Sequence, residues 1–156
     1  MAVTVRVDGL RELEKALSDL PKATGKNVLR RVLKKRAQPV ADAMRATAPD
    51  DPATGGNDLK SSIGVSTKLS PRQRGLHRKF GGKAAVEMFV GAGPVPHAHL
   101  QEFGTVNHSP QPFARPAWDS GKGPLLEGLK DDIWAEIATA AARLAKKQAR
   151  LAAKGG

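Results

Sequence analysis

The sequence predicts an α+β fold, in which a small, mostly antiparallel sheet is packed by N-terminal helices and a long C-terminal helix. Leucines recur at helical spacing near the N-terminus, and two stretches near the middle alternate apolar and polar residues as half-buried strands do. From residue 124 onward, alanine and leucine dominate at a helical period. The length of 156 residues suits one domain, which we expect to span residues 1–156.

The N-terminal third is predicted to contain an arm and two helices. Alternating Val3, Val5 and Val7 favour a short strand or extended arm. Leucines spaced by three and four residues then predict an amphipathic helix of about three turns that Pro21 ends: they are Leu10, Leu13, Leu17 and Leu20. A longer helix is expected over about 26–48. Pro39 predicts a kink or break in it, because proline removes one backbone hydrogen bond and clashes with the preceding turn.

The middle of the chain is predicted to form a hairpin. Residues 49–57, rich in proline, glycine and aspartate, read as an exposed loop. Alternation predicts strands over about 61–69 and 84–91. The polar and basic segment between them, about 70–83, is expected to be a long, mobile hairpin tip that orders on meeting a partner.

The C-terminal third is predicted to be mainly helical. Residues 97–103 favour a short helix that ends at Gly104 in the left-handed capping position. A proline-rich stretch to Pro116 follows. The last helix is expected over about 124–154, with acids toward its start and bases toward its end, as the helix dipole favours. Its tail, about 143–156, has little to bury and is expected to project from the domain.

The formal net charge of +11 is concentrated in three segments without acids. Six basic residues fall within 26–36, five within 72–83 and five within 143–154. Such segments either form a solvated surface or attract a polyanion, such as nucleic-acid phosphates or an acidic protein face. The candidate contacts with DNA or a partner are Arg72, Arg74, Arg78, Lys79, Lys83, Lys34, Lys35 and Arg36.

Catalysis and cofactor binding find no support in the sequence. Cysteine is absent, which excludes disulfides and thiolate metal sites. His97 and His99 with Glu102 would need a bend to meet at one metal, because on a helix the two histidines point about 200° apart. No phosphate-binding loop or nucleophile elbow is present. We therefore expect no enzyme, no metal and no cofactor. No apolar run long enough for a signal peptide or a membrane span occurs, so we expect neither export by that route nor a membrane partner.

The most informative segment combines residues 100–105 with residues 112–117. It holds two of the four phenylalanines among prolines and a glycine, a composition that indicates shape rather than chemistry. Phe103 and Phe113 are expected to anchor a loop on the sheet. Glu102 and Arg115 are expected to pair, within one subunit or between neighbours. The structural signature comprises Glu102, Phe103, Gly104, Thr105, Pro112, Phe113, Arg115 and Pro116.

Four pieces in order carry a family resemblance: residues 7–17, the run from 48 to 63, residues 100–105 and residues 112–117. In them the chain resembles the tail-completion or head-to-tail joining (neck) proteins of long-tailed bacteriophages, of the Hong Kong 97 gene-product-ten type. The resemblance implies a neck domain that forms a homo-oligomeric ring between capsid and tail, and we expect a hexamer that matches the symmetry of a tail tube.

The same resemblance implies connector or stopper and tail tube proteins as partners, with double-stranded DNA passing through the ring. It places the protein in the virion, assembled in the bacterial host cytoplasm. Two further functions remain open at this point. One is a freestanding basic nucleic-acid-binding protein, and the other, which the lack of a catalytic constellation disfavours, is a toxin or nuclease.

Overall fold

The computed structural model describes residues 9–50, 58–80 and 86–154. Over these ranges the helices are α1 (Leu10–Ser18), α2 (Lys22–Thr47), α3 (Leu59–Ser62), α4 (Pro71–Phe80), α5 (Ala98–Phe103), α6 (Ala114–Glu127) and α7 (Leu129–Lys154). The strands are β1 (Gly64–Ser66) and β2 (Phe89–Gly91). The predicted N-terminal arm, most of the predicted loop 49–57 and the candidate contact Lys83 lie outside the described residues.

The sheet has two antiparallel strands in the described part of the chain, with Val65 opposite Val90. Helices pack around it, so the α+β prediction is confirmed. Both strands are shorter than predicted, and β1 begins only at Gly64 because residues 59–62 form a helical turn. This turn buries Leu59, which lay outside the predicted strand, and it also buries Ile63 directly after it, which the alternation had assigned to one face of that strand.

Helix α2 is the spine of the molecule, because both hydrophobic clusters are built on it. Its first half packs Val28 and Val32 against the leucines of α1 and the isoleucines of α7. Its second half packs Val40 and Met44 against α3, the sheet and the start of α6. These apolar contacts position α6 and α7 on α2.

Pro39 does not break α2, so of the two predicted outcomes, a kink or a break, the break is excluded. The helix continues from Lys22 to Thr47 through the proline, which lies on the exposed side. Residues on both sides of it are buried, among them Val32 and Val40. The two clusters together outweigh the lost hydrogen bond, which costs about 3 kcal/mol in a helix interior.

Most of the segment predicted as a long, mobile basic hairpin tip, about 70–83, is helix α4. Ser70 and Gln73 form a reciprocal capping box, in which Gln73 N–H donates to Ser70 Oγ (3.3 Å) and Ser70 N–H donates to Gln73 Oε1 (3.0 Å). Pro71 occupies the first helical position, where a missing N–H costs nothing. The signal was therefore present in the sequence as Ser-Pro-Arg-Gln.

The C-terminal region contains two helices instead of the one predicted from residue 124. Helix α6 begins at Ala114, inside the stretch expected to be irregular, and α7 begins after Gly128. A side chain at Gly128 would overlap the guanidinium of Arg36 from α2, so the break admits this arginine. Residues 145–154 at the end of α7 are exposed throughout. In the ranges described, no helix combines the length and apolar character needed to cross a membrane.

Candidate functional site

The signature residues lie at one corner, formed by α5, the turn that follows it and the start of α6. Helix α5 carries Glu102 and Phe103, and Gly104 ends it. The chain then reverses through a bridge between Thr105 and His108, and it enters α6 at Phe113. Gln111 N–H donates to Gln101 O (2.7 Å), which closes the turn on α5.

Glu102 caps α6 from outside that helix. Its Oε2 accepts from the N–H groups of Phe113 (2.8 Å) and Ala114 (2.9 Å), and its Oε1 accepts from the N–H of Arg115 (3.0 Å). Pro116 follows and has no N–H to satisfy. The first four backbone N–H groups of a helix have no acceptor within the helix. In α6, the Glu102 carboxylate accepts from three of these positions, and the fourth is Pro116, which has no N–H.

The predicted pairing of Glu102 with Arg115 is confirmed within one chain. Arg115 Nε donates to Glu102 Oε1 (2.9 Å), and its second guanidinium nitrogen donates to the Glu102 carbonyl (3.2 Å). The carboxylate is buried, with Glu102 only 5% exposed, while the arginine is largely exposed. A buried acid with four donors is satisfied, which explains how the fold tolerates it.

The pKa of Glu102 reflects two opposed effects. Burial raises it, because the charged form loses solvation, but the hydrogen bonds from Ala114, Phe113 and Arg115 lower it. The hydrogen bonds together prevail, and the pKa of Glu102 lies below its ordinary value of 4.5. The carboxylate therefore stays ionised at neutral pH, and the positive end of the α6 dipole favours the same form.

Gly104 is required by the turn. Its φ of 76° is in the positive region that glycine adopts without strain, but its ψ of 178° is extended, so the prediction of a left-handed helical cap was wrong. A side chain there would stand 2.8 Å from both His108 O and Pro110 N. Any other residue would push the turn away from α5.

The two phenylalanines differ in role. Phe113 is 2% exposed and belongs to the cluster with Met44 and Ile63, as predicted. Phe103 is 65% exposed, so its predicted role as a buried anchor was wrong. The Arg115 guanidinium lies 4.7 Å from the centre of the Phe103 ring, a cation–π contact that holds this ring at the surface. Thr105 and Pro112 are also exposed.

The candidate basic contacts fall on two helices. Arg72, Arg74, Arg78 and Lys79 are exposed on α4. On α2, Lys34 is exposed, but Lys35 and Arg36 form ion pairs with Asp132 of α7 at 3.2 and 2.5 Å. Hydrogen bonding from Arg36 lowers the pKa of Asp132. Arg36 is therefore already paired with an acid 96 residues away in sequence, which leaves it less available than Lys34 for a contact with a partner.

The site has no feature of a metal centre in the ranges that the structure describes: no three histidine, aspartate or glutamate side chains there could hold an ion together. The corner combines a fully hydrogen-bonded acid, a positive-φ glycine and a buried aromatic ring. These features fix a loop and present Phe103 outward.

Residues 11–104 match the model of a family described as "Bacteriophage HK97-gp10, putative tail-component". The match covers more than half of the chain and ends on Glu102, Phe103 and Gly104. The chain belongs to the HK97-gp10-like family. This confirms the resemblance seen in the sequence. No curated protein and no solved structure matches the chain significantly.

Membership makes the protein a component of a bacteriophage tail and places it in the virion among other virion proteins. The Pro112–Ala117 motif lies beyond the matched residues. The motif is nevertheless connected to the matched residues in the structure, because Glu102, which lies within the match, caps the helix that begins in this motif.

Proposed function

We propose that this tail component forms a homo-oligomeric ring at the head–tail interface, where it completes the tail and joins it to the capsid connector. Its role there is structural rather than catalytic. The observation that carries the proposal is the exposed apolar surface on the rigid signature corner. Phe103 is held outward by Arg115, and Val106 at the tip of the adjoining turn is fully exposed.

Large exposed apolar residues on a rigid segment are typical of protein interfaces. Leu100 precedes Phe103 by one helical turn on α5 and is also exposed, so the two share a face. We call Leu100, Phe103 and Val106 the apolar corner. In the proposed ring, this corner contacts the next copy of the chain through a heterologous interface, which closes when the rotation between copies is a whole fraction of a turn. Six copies would match the symmetry of a tail tube.

The cations of α4 supply a second proposed contact. Arg72, Arg74, Arg78 and Lys79 project from a helix without acids, which suits an acidic surface on a neighbouring connector, stopper or tail tube protein. The second predicted set, Lys34, Lys35 and Arg36, is weaker in this role because two of its members already bind Asp132.

A complementation experiment tests the proposed ring. Particles are assembled from a genome that lacks this gene, with either the wild-type chain or Phe103→Ala with Val106→Ser supplied in trans. We expect the variant to fold but to leave filled heads and separate tails, because the interface is lost. Leu151→Ala is the matched control, since Leu151 is similarly exposed at 60% on a different helix. Normal yields of joined particles from the double variant would contradict the proposal.

Assembly separates this function from that of a freestanding nucleic-acid-binding protein. A neck component is incorporated into the particle in fixed stoichiometry with the tail proteins. A freestanding binder would remain with DNA in the lysate and would be absent from purified particles.

A further inference from the structure

The last part of α7 presents five cations and no acid. Over residues 141–154 these are Arg143, Lys146, Lys147, Arg150 and Lys154, and all are exposed. This segment lies outside the residues that match the family model, so family membership does not account for it. We call these five residues the α7 basic face.

The five cations point to one side of the helix. At about 100° per residue, residues 143, 147, 150 and 154 fall within about 60° of each other, and residue 146 extends the arc to about 100°. The face runs for about 16 Å along the axis at 1.5 Å per residue. These five side chains and Leu151 also line one continuous, open surface depression.

The α7 basic face is not neutralised within the described chain. None of its side chains forms an ion pair with any residue in ranges 9–50, 58–80 and 86–154. The basic segment of α2 differs, since Arg31 lies 3.0 Å from Glu136 and Asp132 binds Lys35 and Arg36. The acids near the start of α7 thus pair with cations of α2, whereas the cations near the end of α7 form no ion pair within the described ranges.

Helix stability does not explain this arrangement. Like charges three and four residues apart repel, and the face contains such pairs at Arg143 with Lys147 and at Arg150 with Lys154. The helix dipole favours cations in the last turn, which accounts for Lys154 but not for the other four. A partner that supplies negative charge removes the repulsion.

We propose that the α7 basic face binds the phosphate backbone of double-stranded DNA without sequence selection. Lysine and arginine along one side of an exposed helix match a polyanion with closely spaced charges. A protein groove or a membrane would require apolar anchors as well, but residues 141–154 are rich in alanine, Leu144 is half-buried, and Leu151 is their one large apolar side chain that is exposed.

Helix α4 is less suited to the same ligand. At helical spacing, Arg72 and Lys79 lie on one side of it, while Arg74 and Arg78 lie near the opposite side. One duplex therefore cannot contact all four. This contrast makes α4 the matched control, since four charges can be removed from either helix.

The test measures binding of the full chain to a fluorescent duplex of random sequence, by anisotropy, from 50 to 250 mM salt. The first variant carries Arg143→Gln, Lys147→Gln, Arg150→Gln and Lys154→Gln. The control carries Arg72→Gln, Arg74→Gln, Arg78→Gln and Lys79→Gln. We expect the α7 variant to lose at least about tenfold in affinity, and the slope of log K against log salt to fall by about 3 to 4. The control is expected to change both far less.

Equal losses in the two variants would overturn the proposal, because net charge and not this face would then control binding. Unchanged binding by the α7 variant would also overturn it. Polyglutamate and vesicles of anionic lipid are tested in parallel, and binding to either one in preference to DNA would assign the face to another partner. Circular dichroism checks that both variants fold. The proposal does not depend on a ring. If particles have a normal neck but the α7 basic face does not bind DNA, this inference is disproved and the proposed ring is not.

Discussion

Glu102 connects two helices through one side chain. It belongs to α5, but three of its hydrogen bonds go to the first amides of α6, ten or more residues further along the chain. Phe113, the N-cap residue directly before α6, cannot cap the helix itself because its side chain is apolar and faces the core. The corner therefore relies on an acid from a neighbouring element.

Replacing Glu102 with alanine should cost about 2–4 kcal/mol in the free energy of unfolding, because three amides would lose their acceptor at a buried position. Glu102→Gln should cost less, since an amide oxygen still accepts, but its NH₂ group would face the donors. Urea unfolding measures both. Glu127→Gln, which changes an exposed acid on α6, is the control and should have little effect. A Glu102→Ala variant as stable as the control would refute the capping role.

The two phenylalanines should respond differently to truncation. Phe113→Ala removes a buried ring and should lower the free energy of unfolding by about 3–5 kcal/mol. Phe103→Ala removes an exposed ring and should cost under about 1 kcal/mol, mostly from the lost contact with Arg115. Thermal unfolding of the two variants compares them. Equal destabilisation would mean that Phe103 is buried in the folded protein.

Stability should decrease as acid is added. Glu102 and Asp132 both have folded-state pKa values below their ordinary values of 4.5 and 3.8. Their contribution is therefore complete above those values, and it is lost as the pH falls through the lower folded-state values. Urea unfolding at pH 7, 4 and 3 should show this loss, and Glu102→Gln should reduce its size. An identical pH dependence in wild type and Glu102→Gln would contradict the assignment.

At the scale of elements, ion pairs link the two long helices α2 and α7. Asp132 and Glu136 are one helical turn apart on α7 and face Lys35, Arg36 and Arg31 of α2. The antiparallel packing of α2 and α7 thus combines an apolar stripe with a flanking row of ion pairs. These ion pairs are only partly covered from solvent, so the apolar contacts hold the helices together and the charges favour one register.

Helix α4 should be a docking element whose charges are dispensable for folding. With Arg72, Arg74, Arg78 and Lys79 changed to glutamine, the melting temperature should change little, because all four side chains are exposed. Joining of tails to heads should weaken and become more sensitive to salt. Titration of particle yield against ionic strength measures this effect. Wild-type yield at every salt concentration would show that these cations are only a solvated surface.

Several elements were predicted from residues within them or next to them in the sequence. The leucine stripe gave α1, Pro21 marked its end, and Gly104 ended α5. Long-range contacts could not be seen in the same way: nothing local to Glu102 shows that it caps α6, and nothing near Arg36 points to Asp132. The long α2 was predicted, but its continuity through Pro39 depends on two clusters that form only in the folded chain. The capping box of α4 was readable and was missed.

At the scale of the whole molecule, the two hydrophobic clusters pack against different halves of α2. One joins α1 and α7, and the other holds the sheet, α3 and the signature corner. The apolar corner and the α7 basic face depend on different clusters. We therefore expect changes at one surface to leave the other intact.

The central claim is that this tail component forms a ring at the neck. The most direct test is an electron cryo-microscopy map of the head–tail junction in intact particles. We predict a closed ring of this chain around the tail axis, between connector and tail tube, with the apolar corner of each copy against the next. A single off-axis copy, or a location at the distal end of the tail, would contradict the account.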